Sequence, residues 1–302
     1  MMRYILIIIC CAILAGCGNQ PSERLVIGLI KPSMNHLPVQ CALENNQEDF
    51  TKKYQIEYFH SGWETNEALV AGRIDLAIMP FTYAWMDVSQ DKKVKIISFL
   101  ERESDGIIAD NKYSKLSELA GAKLGVLKNS TLEIIPEMVF AQQGFSMPEM
   151  VPFRTPMDMA AALQSGEVDA ISYYVPSIFN LAERYQIIDW YSSAFPAHPC
   201  CDLVASEQVL KSKGDQVSNF IKLLKDSITK MNSNAQGTSK TAQKSFYLSD
   251  GVVSQSLAHT QYIPGLEASG IDFEVQAAVL MLSKGYLARE TTKDEVYYQI
   301  LP

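Results

Sequence analysis

The feature that most restricts how this chain can fold is an internal repeat. Shifted by 94 positions, Phe59 falls on Phe153, Ala68 on Ala162, Leu69 on Leu163, Gly72 on Gly166 and Asp75 on Asp169, where average residue usage gives about one chance identity. The chemistry repeats with the letters. Ser61 followed by Glu64 reads as a helix N-cap with an acid at the third helical position, and the same shift lands on Thr155 and Asp158, with Pro156 opening the helix. Both segments predict a helix that stops near its glycine and runs on into an apolar strand, residues 74–79 or 168–173. Upstream, a shift of 97 sets Ile27-Gly28-Leu29-Ile30-Lys31 on Leu124-Gly125-Val126-Leu127-Lys128. Each half therefore reads strand, helix, strand, helix, strand, which right-handed crossovers close into a parallel sheet covered on both faces.

Two such units, in a chain too long for one core, predict two lobes. Lobe 1 is expected to combine residues 25–104 and 202–302, and lobe 2 to span 105–201. Residues 94–100 and 106–109 carry the chain across, and 202–205 bring it back. Beyond that point Val217, Phe220, Ile221, Leu224, Ile228 and Met231 recur at intervals of three and four, one apolar stripe expected to pack on a sheet. Residues 232–241 read as a polar loop. A last helix is expected to open at Asp272, turn Val275, Val279 and Leu282 inward and stop by Gly285.

The start of the chain gives its address. Arg3 precedes an apolar run, residues 5–15, too short to span a bilayer, and the run ends in Leu14-Ala15-Gly16-Cys17. Residues 1–16 read as a secretory signal peptide. The last four residues resemble the bacterial lipobox, which implies a lipid on Cys17, and residues 17–24 form a polar tether. The formal net charge of −8, without a basic cluster or a phosphate-cradling glycine motif, argues against nucleic acid. With Cys17 taken by lipid, Cys41, Cys200 and Cys201 remain. Three is odd, so no disulfide framework is expected and at least one thiol stays free.

Two segments carry a resemblance to a known family. Leu116-Ser117-Glu118-Leu119-Ala120-Gly121-Ala122-Lys123-Leu124-Gly125-Val126 and Ala162-Leu163-Gln164-Ser165-Gly166-Glu167-Val168-Asp169-Ala170 are similar to the second-lobe motifs of type II periplasmic binding proteins of the nitrate/sulfonate/taurine and thiamine-precursor (NMT1/THI5-like) kind. The likeness runs from about residue 25 to 286. It implies a two-lobed α/β periplasmic binding protein fold with two hinge crossovers. The protein would be a monomeric, lipid-anchored receptor outside the membrane, without catalysis or cofactor, handing a small molecule to an ABC permease and its ATPase. A thiamine-precursor pyrimidine is the preferred ligand, with a sulfonate, nitrate or bicarbonate oxyanion as the alternative.

The ligand should lie at the carboxyl ends of the strands, where loops lead into helix N-termini. Trp63, Phe81, Tyr83, Tyr173 and Tyr174 fall in those loops and are expected either to sandwich a flat heterocycle or to fill core space. Trp63 is the foremost candidate, since it follows an N-cap turn. Asn35, Ser130 and Thr131 supply polar donors, and Arg154, at the repeat position of His60, reaches an anionic group or solvent. His36, His60 and His259 read as surface or capping residues. His198-Pro199-Cys200-Cys201-Asp202 is unusual. Four ligand types within five residues cannot converge on one ion, and a Cys–His pair lacks a third group to orient the base. His198 and Cys200 are therefore expected to line the pocket, with no metal. The segment also resembles the triple-cysteine motif of fungal thiamine-pyrimidine synthases, which bind iron there. That likeness keeps open a periplasmic synthase-like enzyme using His198, Cys200 and Cys201, although only two of the three cysteines are present.

Overall fold

The repeated letters are a repeat of hydrogen bonds. The computed structural model describes residues 24–300; the expected signal peptide, residues 1–16, and Cys17 lie outside the described residues. The first half runs β1 (Leu25–Ile30), α1 (Leu37–Asn45), α2 (Gln47–Lys53), β2 (Tyr54–Phe59), α3 (Gly62–Val70), β3 (Leu76–Pro80), α4 (Phe81–Ser89) and β4 (Val94–Glu103). The second runs β5 (Asp105–Ala109), β6 (Lys123–Leu127), α5 (Thr131–Gln143), β7 (Glu149–Phe153), α6 (Pro156–Ser165), β8 (Ala170–Tyr174), α7 (Ser177–Leu181) and β9 (Gln186–Trp190). The chain returns through β10 (Cys201–Ser206), then adds α8 (Glu207–Ser212), α9 (Gly214–Ser233), α10 (Ala235–Phe246), α11 (Asp250–Ala258), β11 (Thr260–Gly265), α12 (Ala268–Ser283) and α13 (Lys293–Val296).

Asp75 and Asp169 explain why their position repeats. The Asp75 carboxylate accepts from the Val26 N–H at 2.9 Å, and its own N–H donates to the Val26 carbonyl at 2.8 Å. Asp169 makes the same pair with Lys123, at 3.0 and 2.9 Å. Each acid ties the strand after α3 or α6 to the first parallel strand of its sheet. Ser61 and Thr155 cap those helices by accepting from Glu64 N–H and Asp158 N–H. Gly72 and Gly166 turn the chain out of them at φ of 70° and 76°, a region costly to any residue with a Cβ. At Gly28 a Cβ would meet Thr65 Cγ2 of α3 at 3.0 Å, and at Gly125 Met159 Cγ of α6 at 3.2 Å. Glycine here lets each helix lie close on its sheet.

The two sheets have the orders β11-β4-β10-β3-β1-β2 and β7-β6-β8-β5-β9. They are mixed, where the repeat predicts a mainly parallel sheet in each lobe. β10 is antiparallel to both β3 and β4, β11 to β4, and β5 to both β8 and β9. The βαβ pattern enforces one direction only within each repeat. Between the sheets no helix intervenes: β4 passes through Ser104 straight into β5, which enters the second sheet reversed. Glu103 and Ser104 take left-handed φ of 64° and 74° to make that crossing. The return path lies beside it, with Glu103 N–H donating to His198 O and Cys200 N–H to Glu101 O.

Three further readings need correction. Residues 235–246 form α10, whose buried side is Thr238, Thr241, Ala242 and Phe246, a helical stripe made largely of hydroxyl residues that a polarity count scores as loop. α12 begins at Ala268, and it buries Phe273, Ala277, Ala278 and Met281 while leaving Val279 67 % exposed. Alanine and methionine let that face approach α4 and α5 closely, so the branched residues are left outward. α9 does bury Val217, Phe220, Leu224, Ile228 and Met231, each worth about 1.5–3 kcal/mol. Its principal partner is α1 rather than a sheet, fastened by Ser227 Oγ donating to Pro38 O at 2.7 Å.

Candidate ligand-binding cleft

A cavity of about 420 Å³, counted out to its open mouth, lies between the two sheets. Its walls come from the ends of strands and the starts of helices in both halves. Ile30, Ser33 and Asn35 follow β1, Ser61 and Gly62 open α3, and Pro80 precedes α4. From the other half come Leu127, then Ser130, Thr131 and Leu132 at the start of α5, Pro156 at the start of α6, and Tyr174 ending β8. Asp105, Cys200 and Cys201, from the two crossings, complete the lining. Ser130 caps α5 by accepting from Leu132 N–H at 3.2 Å. Helix N-termini thus converge on the cavity and make its walls receptive to polar or anionic groups. No Lys, Arg or His side chain lines it. Two hydrogen bonds bridge the halves beside it: Thr82 Oγ1 donates to Asn129 O at 2.7 Å, and Tyr83 OH to Lys128 O at 3.3 Å.

Of the candidates named from sequence, Asn35, Ser130, Thr131, Tyr174 and Cys200 meet at this cavity. Phe81 and Tyr83 do not line it. Phe81 packs edge-on to Phe273 at 6.2 Å, in the core under α12. Tyr83 is buried against Gly62 and spends its hydroxyl on Lys128 O. Tyr173 points to the other face of its strand from Tyr174, as alternation along a strand requires, and donates to Pro156 O. Trp63 is 54 % exposed and stands with Lys128, Asn129 and Arg154 around an outer recess. Trp63 and Arg154 therefore share that recess and do not line the cavity. His198 is buried behind the crossing, where its Nδ1 bonds to Phe195 O at 2.8 Å and its ring lies near Phe273. His36 is buried as well, against Phe246, contrary to the surface role expected for it. Burial, aided by Lys31, brings its pKa down to about 3, so it packs as a neutral ring.

Two buried acids at the crossing were missed from sequence, and one of them, Asp105, lines the cavity. Glu101 and Asp105 bracket the crossing and are buried. Burial pushes the Asp105 carboxyl up to about 7, against the opposing pull of the Cys200 thiol and the Ser104 hydroxyl. Burial and the nearby Asp105 raise Glu101 further. In the sequence these acids sit in Glu101-Arg102-Glu103-Ser104-Asp105, a charged run of the kind that normally marks a solvated face. Glu101, Cys200 and Cys201 also place three ligand atoms within 4.8 Å of one another. That trio, rather than the linear His–Cys–Cys–Asp set, is where an ion would fit. The Cys201 thiol beside it and burial raise Cys200, and burial raises Cys201, so an ion there must displace two firmly held protons. Cys41, Cys200 and Cys201 are all free thiols.

These shifts fix a pH dependence. An acid whose pKa is raised on folding binds more protons folded than unfolded, so it favours folding below its ordinary value near 4 and loses that contribution as pH climbs through its folded value. Asp105 and Glu274, both near 7, act in this sense, as do Glu101 and Asp202, which burial raises well above the ordinary carboxyl range. His198, lowered by burial to about 4, and His36 oppose them only below about 6.5. Denaturant titration of the ligand-free protein should therefore show stability falling from pH 6.5 to 8, by about 1.4 kcal/mol per pH unit for each proton held. A flat or rising profile would mean that these acids are already ionised in the fold.

With the geometry in view, comparison with known proteins becomes informative. The family described as NMT1/THI5 like matches residues 55–237, more than half of the chain. The chain belongs to the NMT1/THI5-like family. No curated protein sequence matches it at a significant level. Solved structures share its fold. The alkanesulfonate-binding protein SsuA of Xanthomonas axonopodis pv. citri, bound to MOPS, superposes with a TM-score of 0.80 at 19 % identity, covering 92 % of this chain and 98 % of that one. The zinc-bound ligand-binding component of an ABC-type import system from Staphylococcus aureus gives 0.78 at 19 % identity, covering 92 % and 97 %. The periplasmic nitrate-binding protein NrtA of Synechocystis PCC 6803 gives 0.75 at 12 %, covering 91 % and 86 %. The two-lobed α/β periplasmic binding protein fold of this NMT1/THI5-like chain is thereby established. All three neighbours are binding proteins, that of Staphylococcus aureus a component of an ABC-type import system and NrtA a periplasmic protein.

Proposed function

We propose that this NMT1/THI5-like protein is the solute-binding lipoprotein of an ABC importer. In this reading Cys17 carries the lipid anchor, and residues 25–104 with 202–302 form one lobe opposite 105–201. The monomer closes on one small molecule and presents it to a permease coupled to an ATPase. The observation that carries the reading is the cavity between the halves, built from corresponding loops of both repeats, with Thr82 and Tyr83 bridging the halves beside it. A ligand held by both halves stabilises the closed arrangement, since it contacts the second half only there. A small heterocycle of the thiamine-precursor pyrimidine type suits the site better than a sulfonate or nitrate. Tyr174 offers an aromatic surface, Ser33, Ser61, Ser130 and Thr131 offer hydroxyls, and the floor is acidic.

The test is a melting screen of the purified soluble protein against a thiamine-precursor pyrimidine, ethanesulfonate, nitrate and bicarbonate. A ligand at 1,000 times its Kd adds about 4 kcal/mol, which raises Tm by roughly 10 °C for a chain of this size. Stoichiometric binding of the pyrimidine with such a rise is expected. If none of the four moves Tm, this ligand class is wrong.

A further inference from the structure

One oxygen at the floor of the cleft has nothing to bond. Asp105 is 1 % exposed yet lines the cavity. Its Oδ1 faces the Ser104 hydroxyl at 3.4 Å, whereas its Oδ2 has no partner. Both carboxylate oxygens of the neighbouring buried Glu101 are also unpartnered. A buried carboxyl oxygen without a donor is costly, and proteins keep one only where something else completes it. In a cavity built from both halves, that donor is the bound solute. Among the described residues no Lys, Arg or His lines the cavity to neutralise these acids, so the inner end of the solute must supply the hydrogen. The walls differ from the floor: the start of α5 and its Ser130 suit acceptors.

We propose that Asp105 is the specificity-determining residue of the cleft and that the solute turns an N–H edge, an amidine or a primary amine, onto its free oxygen. This rests on the receptor reading above and deepens it. A ring nitrogen beside an exocyclic amine pairs with a carboxyl through two parallel hydrogen bonds, one proton being shared between them. A primary ammonium pairs with it as a charge-assisted donor. Solutes with a methyl group in place of that nitrogen fill the same space and leave Asp105 unsatisfied.

The test uses two isosteric pairs, measured by calorimetry on the intact soluble protein: 4-aminopyrimidine against 4-methylpyrimidine, and 2-aminoethanesulfonate against propanesulfonate. The wild type should favour the nitrogen-bearing member of at least one pair by about tenfold or more, the usual worth of a charge-assisted hydrogen bond. Asp105→Leu should abolish that preference, with the methyl member bound as well as before. Asp105→Asn, whose amide carbonyl still accepts, should retain part of it. Melting curves establish that each variant folds, and Asp105→Asn is read alone where Asp105→Leu does not. A wild-type protein that binds the methyl members equally, or a preference untouched by both substitutions, overturns the role of Asp105 and leaves the receptor reading in place. So does binding of nitrate or ethanesulfonate alone. Binding of none of these probes overturns both.

Discussion

Arg102→Met should lower the unfolding free energy by about 3–5 kcal/mol at pH 8, the cost typical of removing one partner from a buried ion pair. Arg102 lies on β4 and is fully buried; its guanidinium donates to Glu267 and sits 4.4 Å over the Phe99 ring. It is also the cation nearest two buried acids, Asp202 and Glu274, and it pulls both down against burial. Glu274 accepts from Trp85 Nε1 at 3.0 Å and from Tyr297 OH at 2.6 Å, so it cannot move away to water. A Cβ at Gly270 would stand 2.8 Å from the guanidinium, which shows how closely α12 covers it. Removing the charge leaves two acids without compensation. They regain neutrality only by binding protons, so the loss should shrink at pH 5, and Arg102→Met with Glu274→Gln should recover part of it at pH 8. Urea denaturation at the two pH values checks this. A loss under about 1 kcal/mol would mean that the unmet Nε and NH1 donors already cancel the ion pair.

Thr131→Phe should weaken ligand binding by more than about 100-fold, nearly 3 kcal/mol, with little change in Tm. Thr131 is the first residue of α5, and Ser130, not Thr131, caps that helix. Its hydroxyl lies 3.7 Å from Cys200 Sγ at the cavity wall. A ring there fills the space between the halves and leaves the Ser130 cap in place. Calorimetry with whichever solute the melting screen identifies decides the matter. Unchanged affinity would place the ligand elsewhere, the recess by Trp63 and Arg154 being the next place to look.

The sequence was legible where local chemistry repeats. N-caps, terminating glycines and the aspartates at 75 and 169 act through partners that every βαβ unit supplies, so two copies of the pattern mean two copies of the structure. Ser130 and Thr131 were legible for the same reason, being the first residues of a helix after a strand. Choosing among the aromatic residues was harder. Tyr173 and Tyr174 are neighbours in the chain and differ only in which face of β8 they occupy, and Phe81 fills core space because α12, far along the chain, covers it.

What the sequence determined by itself was the pair of units, the ends of their strands and hence the edge on which the cavity opens. Tertiary structure alone decided the reversed strands and the acidic floor. Both arise where β4 passes directly into β5 and β10 returns alongside, a contact between segments about a hundred residues apart. Local patterns cannot report burial caused by so distant a partner, and for Glu101 and Asp105 burial is what sets two acids of a charged run inside the molecule, Asp105 against the cavity.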